Sequence, residues 1–187
     1  MQIRTFKSGA NREIALKKLS PNGLSGLLRR YISGQMFGMS EIFIPYRLYK
    51  IKVHDRGFTA TQFLAVDSVS GTLDPIDFSG TALEYDSYET RNILPQKVSE
   101  DETRAHVLSK ARRIAFSNAL FRFSDPSFDV ELVESDLYLP YWIGFYGDRK
   151  NVELLIFNGI AHTLEGGKMA VCVKAWLHAG RVVQDLG

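Results

Sequence analysis

The feature that most constrains the fold is an aliphatic–Pro–Tyr triplet that occurs twice, each time inside a predicted strand. Ile44-Pro45-Tyr46 and Leu139-Pro140-Tyr141 begin 95 residues apart. After each triplet come a turn, an apolar strand and then a small polar turn, which begins at Asp67 in the first copy and at Asn158 in the second. Because proline cannot donate to a strand ladder, each triplet predicts an edge position or a bulge.

These matching segments predict an α+β protein with two similar halves. The strands are rich in β-branched and aromatic residues and are expected near 41–54, 58–68, 138–146 and 152–157. Helices are expected near 11–32, 100–122 and 165–179, and the Ser99-Glu-Asp-Glu102 capping box marks the start of the second of these. Two open hairpins cannot each bury a face alone, so they are expected to share one antiparallel sheet or to form two packed sheets. The alternative is chance similarity between two aromatic hairpins.

The segments divide the chain into three consecutive parts. Residues 1–34 are a basic helical segment, 35–98 carry the first strand–turn–strand copy, and 99–187 carry a helix, the second copy and the last helix. Within these parts, 77–98 show no clear period and are predicted as a long acidic connection, while 129–137 are predicted as a separate strand. We expect one compact unit, because a chain of 187 residues can bury roughly 70% of its unfolded surface.

Composition places the chain among globular proteins. Hydrophobic residues make up 45% and charged residues 24%, with a formal net charge of +2, which argues against wholesale disorder. No apolar run approaches the about 20 residues needed to span a bilayer, and no signal peptide is recognisable. A cytoplasmic protein is therefore expected. The single cysteine, Cys172, excludes an intramolecular disulfide and agrees with a reducing compartment.

Positive charge is concentrated at the N-terminal end of the sequence. Residues 1–34 contain seven basic residues and one acidic residue. Such a segment is a candidate for contact with nucleic acid or an anionic membrane. The alternative is that the charges are solvated faces of two short helices. The candidate contact residues are Arg12, Lys17, Lys18, Arg29 and Arg30.

Aromatic residues gather on the two predicted hairpins, and they are the candidate binding residues. Alternate residues of a strand face opposite ways, so one set should lie in the core and the other should be exposed. Exposed aromatic rings anchor protein partners or stack on bases. Basic residues are not interleaved with them, which favours a protein partner or a homo-oligomer. The candidates are Tyr46, Tyr49, Tyr141, Trp142 and Tyr146.

Catalytic and metal-binding motifs are not recognisable. The four histidines have no second His or Cys at ligand spacing, and no phosphate-binding loop is present. We therefore predict no catalytic residue, metal or cofactor, and favour a non-enzymatic protein-binding or assembly module that acts through the aromatic hairpin surfaces. The alternatives are a small-ligand-binding protein or enzyme with a pocket between the halves, and nucleic-acid or membrane-surface binding through residues 1–34.

The end of the first copy, Val66-Asp-Ser-Val-Ser-Gly-Thr-Leu73, resembles the hairpin of PepSY-type modules. Those modules often end a strand in a Val-Asp-Ala-x-Thr-Gly-like turn. The second copy, Phe157-Asn-Gly-Ile-Ala-His162, lacks both the aspartate and the glycine at the expected place. The resemblance covers about 30 residues in each half and implies a small α+β binding or inhibitory module rather than a catalyst.

Overall fold

A computed structural model describes residues 1–6, 11–20, 31, 34–74, 85–117, 125–148 and 151–180. Within these ranges the protein is mixed α+β, with a mostly antiparallel sheet and three helices, as the sequence predicts. The second half of the helical segment predicted over 11–32 lies largely outside the described residues.

A short strand and a helix come first in the chain, and two hairpins and two further helices follow them. The elements are β1 (Gln2–Phe6), α1 (Arg12–Leu19), β2 (Met36–Asp55), β3 (Phe58–Asp67), β4 (Leu73–Asp74), β5 (Tyr85–Glu89), α2 (Glu100–Ser117), β6 (Ser127–Asp148), β7 (Asn151–Asn158) and α3 (Gly167–His178).

Hydrogen bonds join the strands in the order β4-β3-β2-β6-β1-β5, and β7 also pairs with β6. The two predicted hairpins are present. In the first, Tyr46 pairs with Asp67 and the register runs to Asp55 opposite Phe58. Arg56 and Gly57 connect these strands with φ angles of 45° and 85°, the left-handed pair that a two-residue hairpin turn requires. In the second hairpin, the register begins with Tyr141 opposite Asn158.

Three strands differ from the sequence expectation. β1 lies in the segment 1–34, for which the sequence predicts only helices, and β5 lies in the predicted connection 77–98. These two strands pair with each other over five positions, from Gln2 opposite Glu89 to Phe6 opposite Tyr85. The two strands predicted over 129–137 and 138–146 are one continuous strand, β6.

Both prolines stand at ladder ends rather than in edge strands. Pro45 lies one residue beyond the paired positions of β2 and β3, and its carbonyl accepts from Ser68 N at 2.9 Å. Pro140 lies one residue beyond the paired positions of β6 and β7, and its carbonyl accepts from Gly159 N at 3.0 Å. In an extended strand the N–H and C=O of one residue point to the same side. The missing N–H therefore falls where the hairpin ladder has already ended.

The chain divides into two units, each assembled from stretches that are distant in sequence. Unit 1 comprises Met1–Ile44, Tyr85–Leu94 and Tyr138–Gly187, and unit 2 comprises Pro45–Glu84 and Pro95–Leu137. β2 and β6 each contribute residues to both units.

The core of unit 2 lies between α2 and one face of its strands. Thr103, Val107, Ala111 and Ala115 are buried at four-residue spacing along α2, which gives one helix face. Buried residues alternate along β2 from Tyr49 to Val53, whereas 42–49 of β2 and 65–67 of β3 are buried without a break. Those that pack in the cluster with α2 are Tyr49, Ile51, Val53 and Val66.

A buried arginine fixes the start of α2. Arg47 is 8% exposed and donates to Val98 O and Gln96 Oε1 at 2.8 Å each, and to Ser99 O at 3.2 Å. The predicted capping box is also formed, since Ser99 N donates to Glu102 Oε2 at 2.8 Å and Glu102 N donates to Ser99 Oγ at 3.2 Å.

Two apolar clusters lie among the described residues of unit 1. In one, Ala15 and Leu19 of α1 pack with Trp142 and Phe157. The hydroxyl of Tyr146 donates to Leu19 O at the end of α1, where helix carbonyls commonly bond to groups outside the helix. The second cluster contains the buried residues Ile3, Phe43 and Tyr138, with Ile93 packed against them.

The polar turns after the two hairpins form corresponding hydrogen bonds. Asp67 Oδ1 accepts from Val69 N at 2.7 Å and Oδ2 accepts from Ser70 N at 3.1 Å. Asn158 Oδ1 accepts from Ile160 N at 3.0 Å and from Ala161 N at 2.9 Å. Each turn is closed by a bond from its first N–H to the carbonyl of a threonine five residues later, and each has a left-handed residue before that threonine. These closing residues are Thr72 and Thr163, and the left-handed residues are Gly71 and His162.

Candidate functional site

An open pocket of about 680 Å³ lies in unit 1. Its walls come from five separated stretches of sequence. β2 contributes Met39, Ser40, Glu41 and Phe43, and the segment 88–92 faces them from the end of β5 and the residues after it. Met1, Arg12 and Trp142 complete the lining. The volume lies in the range of about 300–1,000 Å³ that is typical of small-molecule sites.

Backbone hydrogen bonds hold the segment 88–92 against β2. Phe43 N donates to Asn92 O at 2.8 Å, and Leu94 N donates to Phe43 O at 3.0 Å. The amide of Asn92 adds a bond of 3.1 Å to Glu41 O. Asn92 N in turn donates to Thr90 Oγ1 at 3.1 Å. The pocket wall opposite β2 is therefore fixed at several points.

Glu41 is the most perturbed acid of the pocket. Burial raises the pKa of its carboxyl group above the ordinary value of 4.5, and a hydrogen bond from the Tyr88 side chain offsets part of this effect by lowering the pKa. Partial burial thus makes the negatively charged form of the Glu41 carboxyl group less favourable than it is in water. The Tyr88 ring also contacts the Phe43 ring, with centroids 5.1 Å apart, which positions its hydroxyl beside Glu41.

Two guanidinium groups line the same pocket from different elements. Arg12 is the first residue of α1, and its preceding residue Asn11 caps the helix by accepting from Ile14 N at 3.0 Å. Arg91 follows β5, and Ile93 N donates to its carbonyl at 3.0 Å. Both side chains are exposed, and neither forms an ion pair with a residue in the part of the chain that the structure describes. The exposed carboxylate of Glu89 also lines the pocket and likewise forms no ion pair with a described residue.

The apolar part of the lining comes from Met1, Met39, Phe43, Tyr88 and Trp142. Tyr88 is 46% exposed, so its ring offers the larger surface, whereas Trp142 is 9% exposed. The indole Nε1 of Trp142 is shielded from solvent and has no acceptor among the described residues. Trp142 therefore contributes apolar surface to the pocket rather than a hydrogen bond.

The five aromatic candidates from the sequence lie inside the protein. Tyr49 and Tyr141 are fully buried, Tyr46 and Tyr146 are 2% exposed, and Trp142 is 9% exposed. Two of the tyrosine hydroxyl groups form hydrogen bonds inside the protein. The Tyr49 hydroxyl bonds to Thr103 Oγ1 at 2.7 Å, and the Tyr141 hydroxyl accepts from Asn158 Nδ2 at 2.9 Å. They do not form an exposed aromatic surface in the structure, and of the five only Trp142 lines the pocket.

The basic candidates are divided between α1 and residues outside the described ranges. Arg12, Lys17 and Lys18 are exposed on α1, and Arg12 reaches the pocket. Arg29 and Arg30 lie outside the described residues.

Sequence reasoning did not identify Glu41, Tyr88 or Arg91. The available signal was Glu41, the single acid between Met36 and His54 in a strand otherwise dominated by apolar, aromatic and basic residues. Tyr88 and Arg91 lie in a stretch without periodicity, and only their pairing with distant segments brings them to the pocket.

The described ranges contain no candidate metal centre and no candidate membrane-spanning helix. No three His, Cys, Asp or Glu side chains there are grouped so that they could hold a metal ion. No helix there has both the length and the apolar character needed to cross a bilayer. No protein-family model, curated protein or solved structure matches this chain.

Proposed function

We propose that the protein binds a small molecule in the pocket of unit 1. The observation that carries this proposal is the joint lining of one open cavity by a half-buried Glu41 and by two guanidinium groups without ion-pair partners among the described residues. A cavity with a few convergent polar groups and an ionisable group of shifted pKa is the usual form of a ligand site.

Burial of the aromatic candidates weakens the support for the protein-binding hypothesis relative to the small-ligand hypothesis. A protein-binding module that acts through Tyr46, Tyr49, Tyr141, Trp142 and Tyr146 requires surface that these rings do not expose in the structure. That hypothesis stays a prediction, as does contact of nucleic acid or an anionic membrane with the exposed Arg12, Lys17 and Lys18. The small-ligand alternative has support from a described cavity.

Thermal unfolding in the presence of a metabolite library tests the pocket. A ligand at about 100 times its dissociation constant raises the free energy of unfolding by about 2.7 kcal/mol. We expect Tyr88→Ala, which removes the exposed ring of the pocket wall, to abolish the shift produced by any hit. Phe58→Ala is the matched control, since Phe58 is 61% exposed and does not line the pocket. Equal loss of the shift in both variants, or no hit in broad libraries, would refute the proposal.

We also propose that the two hairpins descend from a duplicated segment. Support comes from the equivalent places of Pro45 and Pro140 at the ladder ends and from the corresponding bonds of Asp67 and Asn158. Replacing 67–72 with the sequence of 158–163 is expected to leave a cooperatively folded protein. Replacing 67–72 with a shuffled version of the same six residues is expected to lower the melting temperature more than the first replacement does. Equal destabilisation by the two replacements would contradict common descent of the turns.

A further inference from the structure

The charge of the pocket indicates which class of ligand it accepts. Four charged side chains line it, two arginines and two glutamates. One of the acids, Glu41, accepts a hydrogen bond from Tyr88 and is partly withdrawn from solvent. The two arginines and the second acid, Glu89, are exposed, and none of the three forms an ion pair with described residues. The exposed charges of the lining are therefore two positive and one negative.

The two guanidinium groups are held on separate supports. Arg12 is carried by α1, whose first turn is fixed by the Asn11 cap and whose Ala15 and Leu19 are buried. Arg91 is carried by the segment that Asn92 bonds to β2 through both its carbonyl and its amide side chain. A planar guanidinium presents paired donors that match the geometry of carboxylate and phosphate groups. The pocket lining thus includes guanidinium donors from two separately held elements.

The apolar surface lies in the same cavity. Tyr88 and Met39 line it together with the arginines, and the contact of Tyr88 with buried Phe43 restrains the tyrosine ring. A bare inorganic ion would leave this surface unused, whereas an organic anion would cover it.

We propose that the pocket selects an organic oxyanion, a carboxylate or phosphate monoester whose charged group is bound by Arg12 and Arg91 and whose apolar body packs on Tyr88 and Met39. This inference rests on the proposed ligand-binding function of the pocket. It adds the sign of the ligand's charge and the requirement for an apolar body.

Four probes of similar size separate these requirements. Phenyl phosphate and phenylacetate are aromatic anions, 2-phenylethanol is neutral, and 2-phenylethylamine is a cation. Inorganic phosphate tests the charged group alone. Binding is followed by the indole ¹H–¹⁵N signal of Trp142, which lines the pocket, and Trp176→Phe assigns that signal because the chain has two tryptophans.

We expect at least one of the aromatic anions to move the Trp142 signal in a saturable manner, with affinity at least tenfold above those of the amine, the alcohol and inorganic phosphate. The relative affinity of phenyl phosphate and phenylacetate distinguishes a phosphate from a carboxylate ligand. The double variant Arg12→Gln/Arg91→Gln is expected to lose at least tenfold in affinity for the anion. Arg112→Gln/Arg113→Gln, which alters two exposed arginines of α2, is the control and is expected to bind normally.

Preferential binding of the amine or the alcohol would overturn the oxyanion inference while leaving a ligand pocket in place. Unchanged anion affinity in the Arg12/Arg91 double variant would overturn it in the same way. Saturable binding of inorganic phosphate as tight as that of phenyl phosphate would remove the requirement for an apolar body. If none of the probes moves the Trp142 signal, the oxyanion inference fails, and the library experiment decides separately whether the pocket binds any ligand.

Discussion

Replacement of Arg47 by methionine tests whether a buried guanidinium holds the start of α2. The arginine is 8% exposed, and no acidic side chain among the described residues pairs with it. Its partners are oxygens of the segment that leads into α2 and of the first helical turn. Methionine retains much of the volume but donates no hydrogen bond, so the substitution isolates the polar contribution.

The expected magnitude follows from the four contacts. Two of them, to Val98 O and Gln96 Oε1, are 2.8 Å long, and the other two, to Ser99 O and Thr103 Oγ1, are 3.2 and 3.4 Å long. Hydrogen bonds that involve a charged group contribute about 1.5–3 kcal/mol each, and the longer contacts add little. Taking the lower value for the two short bonds, we expect Arg47→Met to lower the free energy of unfolding by about 3 kcal/mol.

Urea unfolding followed by circular dichroism measures this loss, with Arg113→Met as the matched control because Arg113 is an exposed arginine of α2. The control is expected to change the free energy of unfolding by less than about 0.5 kcal/mol. Amide exchange in the first turn of α2 should accelerate in Arg47→Met but not in the control. A loss below about 1 kcal/mol, or equal losses in the two variants, would refute the assigned role of Arg47.

Three further predictions concern single positions. Burial raises the pKa of Glu41 in the folded protein above 4.5, so the stability that its protonated form provides is present below pH 4.5 and is lost as the pH rises through the folded-state pKa. The melting temperature of Glu41→Gln should therefore rise relative to that of the wild type as the pH increases above 4.5. Melting temperatures of the two proteins that change in parallel with pH would argue against this. Gly34→Ala should lower the free energy of unfolding by at least about 1 kcal/mol more than Gly57→Ala. Both glycines have positive φ, but a Cβ on Gly34 would lie 2.9 Å from Gly147 Cα, whereas a Cβ on Gly57 would meet no atom within 4 Å. Equal urea midpoints of the two variants would show that the close approach at Gly34 is relieved. Asp67→Ala should cost about 2–4 kcal/mol in chemical unfolding because two backbone N–H groups lose their acceptor, and Asp67→Asn should cost less than half of that; a harmless alanine would be inconsistent with the turn geometry.

Elements whose signals are local could be predicted from the sequence. The capping box of α2 needs only Ser99 and Glu102, and both reciprocal hydrogen bonds are present. The hairpin turn at Arg56 and Gly57 is likewise encoded by neighbouring residues. Gly180 follows the C-cap of α3 and has a φ of 70°, the left-handed conformation in which glycine commonly ends a helix.

Elements that depend on distant pairing could not be predicted in this way. β1 and β5 are five residues each and pair with each other across 79 to 87 positions of the chain. Exposed and buried positions alternate from Gln2 to Thr5, but one of the two buried residues is the polar Thr5, so the sequence of β1 shows no apolar alternation. β5 is mostly exposed. Pro140 suggested an edge or bulge, but its missing N–H falls at a ladder end within the continuous β6. The pocket could not be predicted from local sequence either, because Glu41 and Arg91 are brought to it by the hydrogen bonds between β2 and the segment after β5.

The uninterrupted course of β2 through the boundary between Ile44 and Pro45 limits how this chain can vary in length. Side chains along an extended strand alternate without a break, so an odd number of residues inserted at that boundary would exchange inward and outward positions for everything on one side of it. Either Phe43 or Tyr49 would then leave its own apolar cluster. Insertions of two residues would preserve the alternation, so evolutionary length changes at this point are expected to come in even steps.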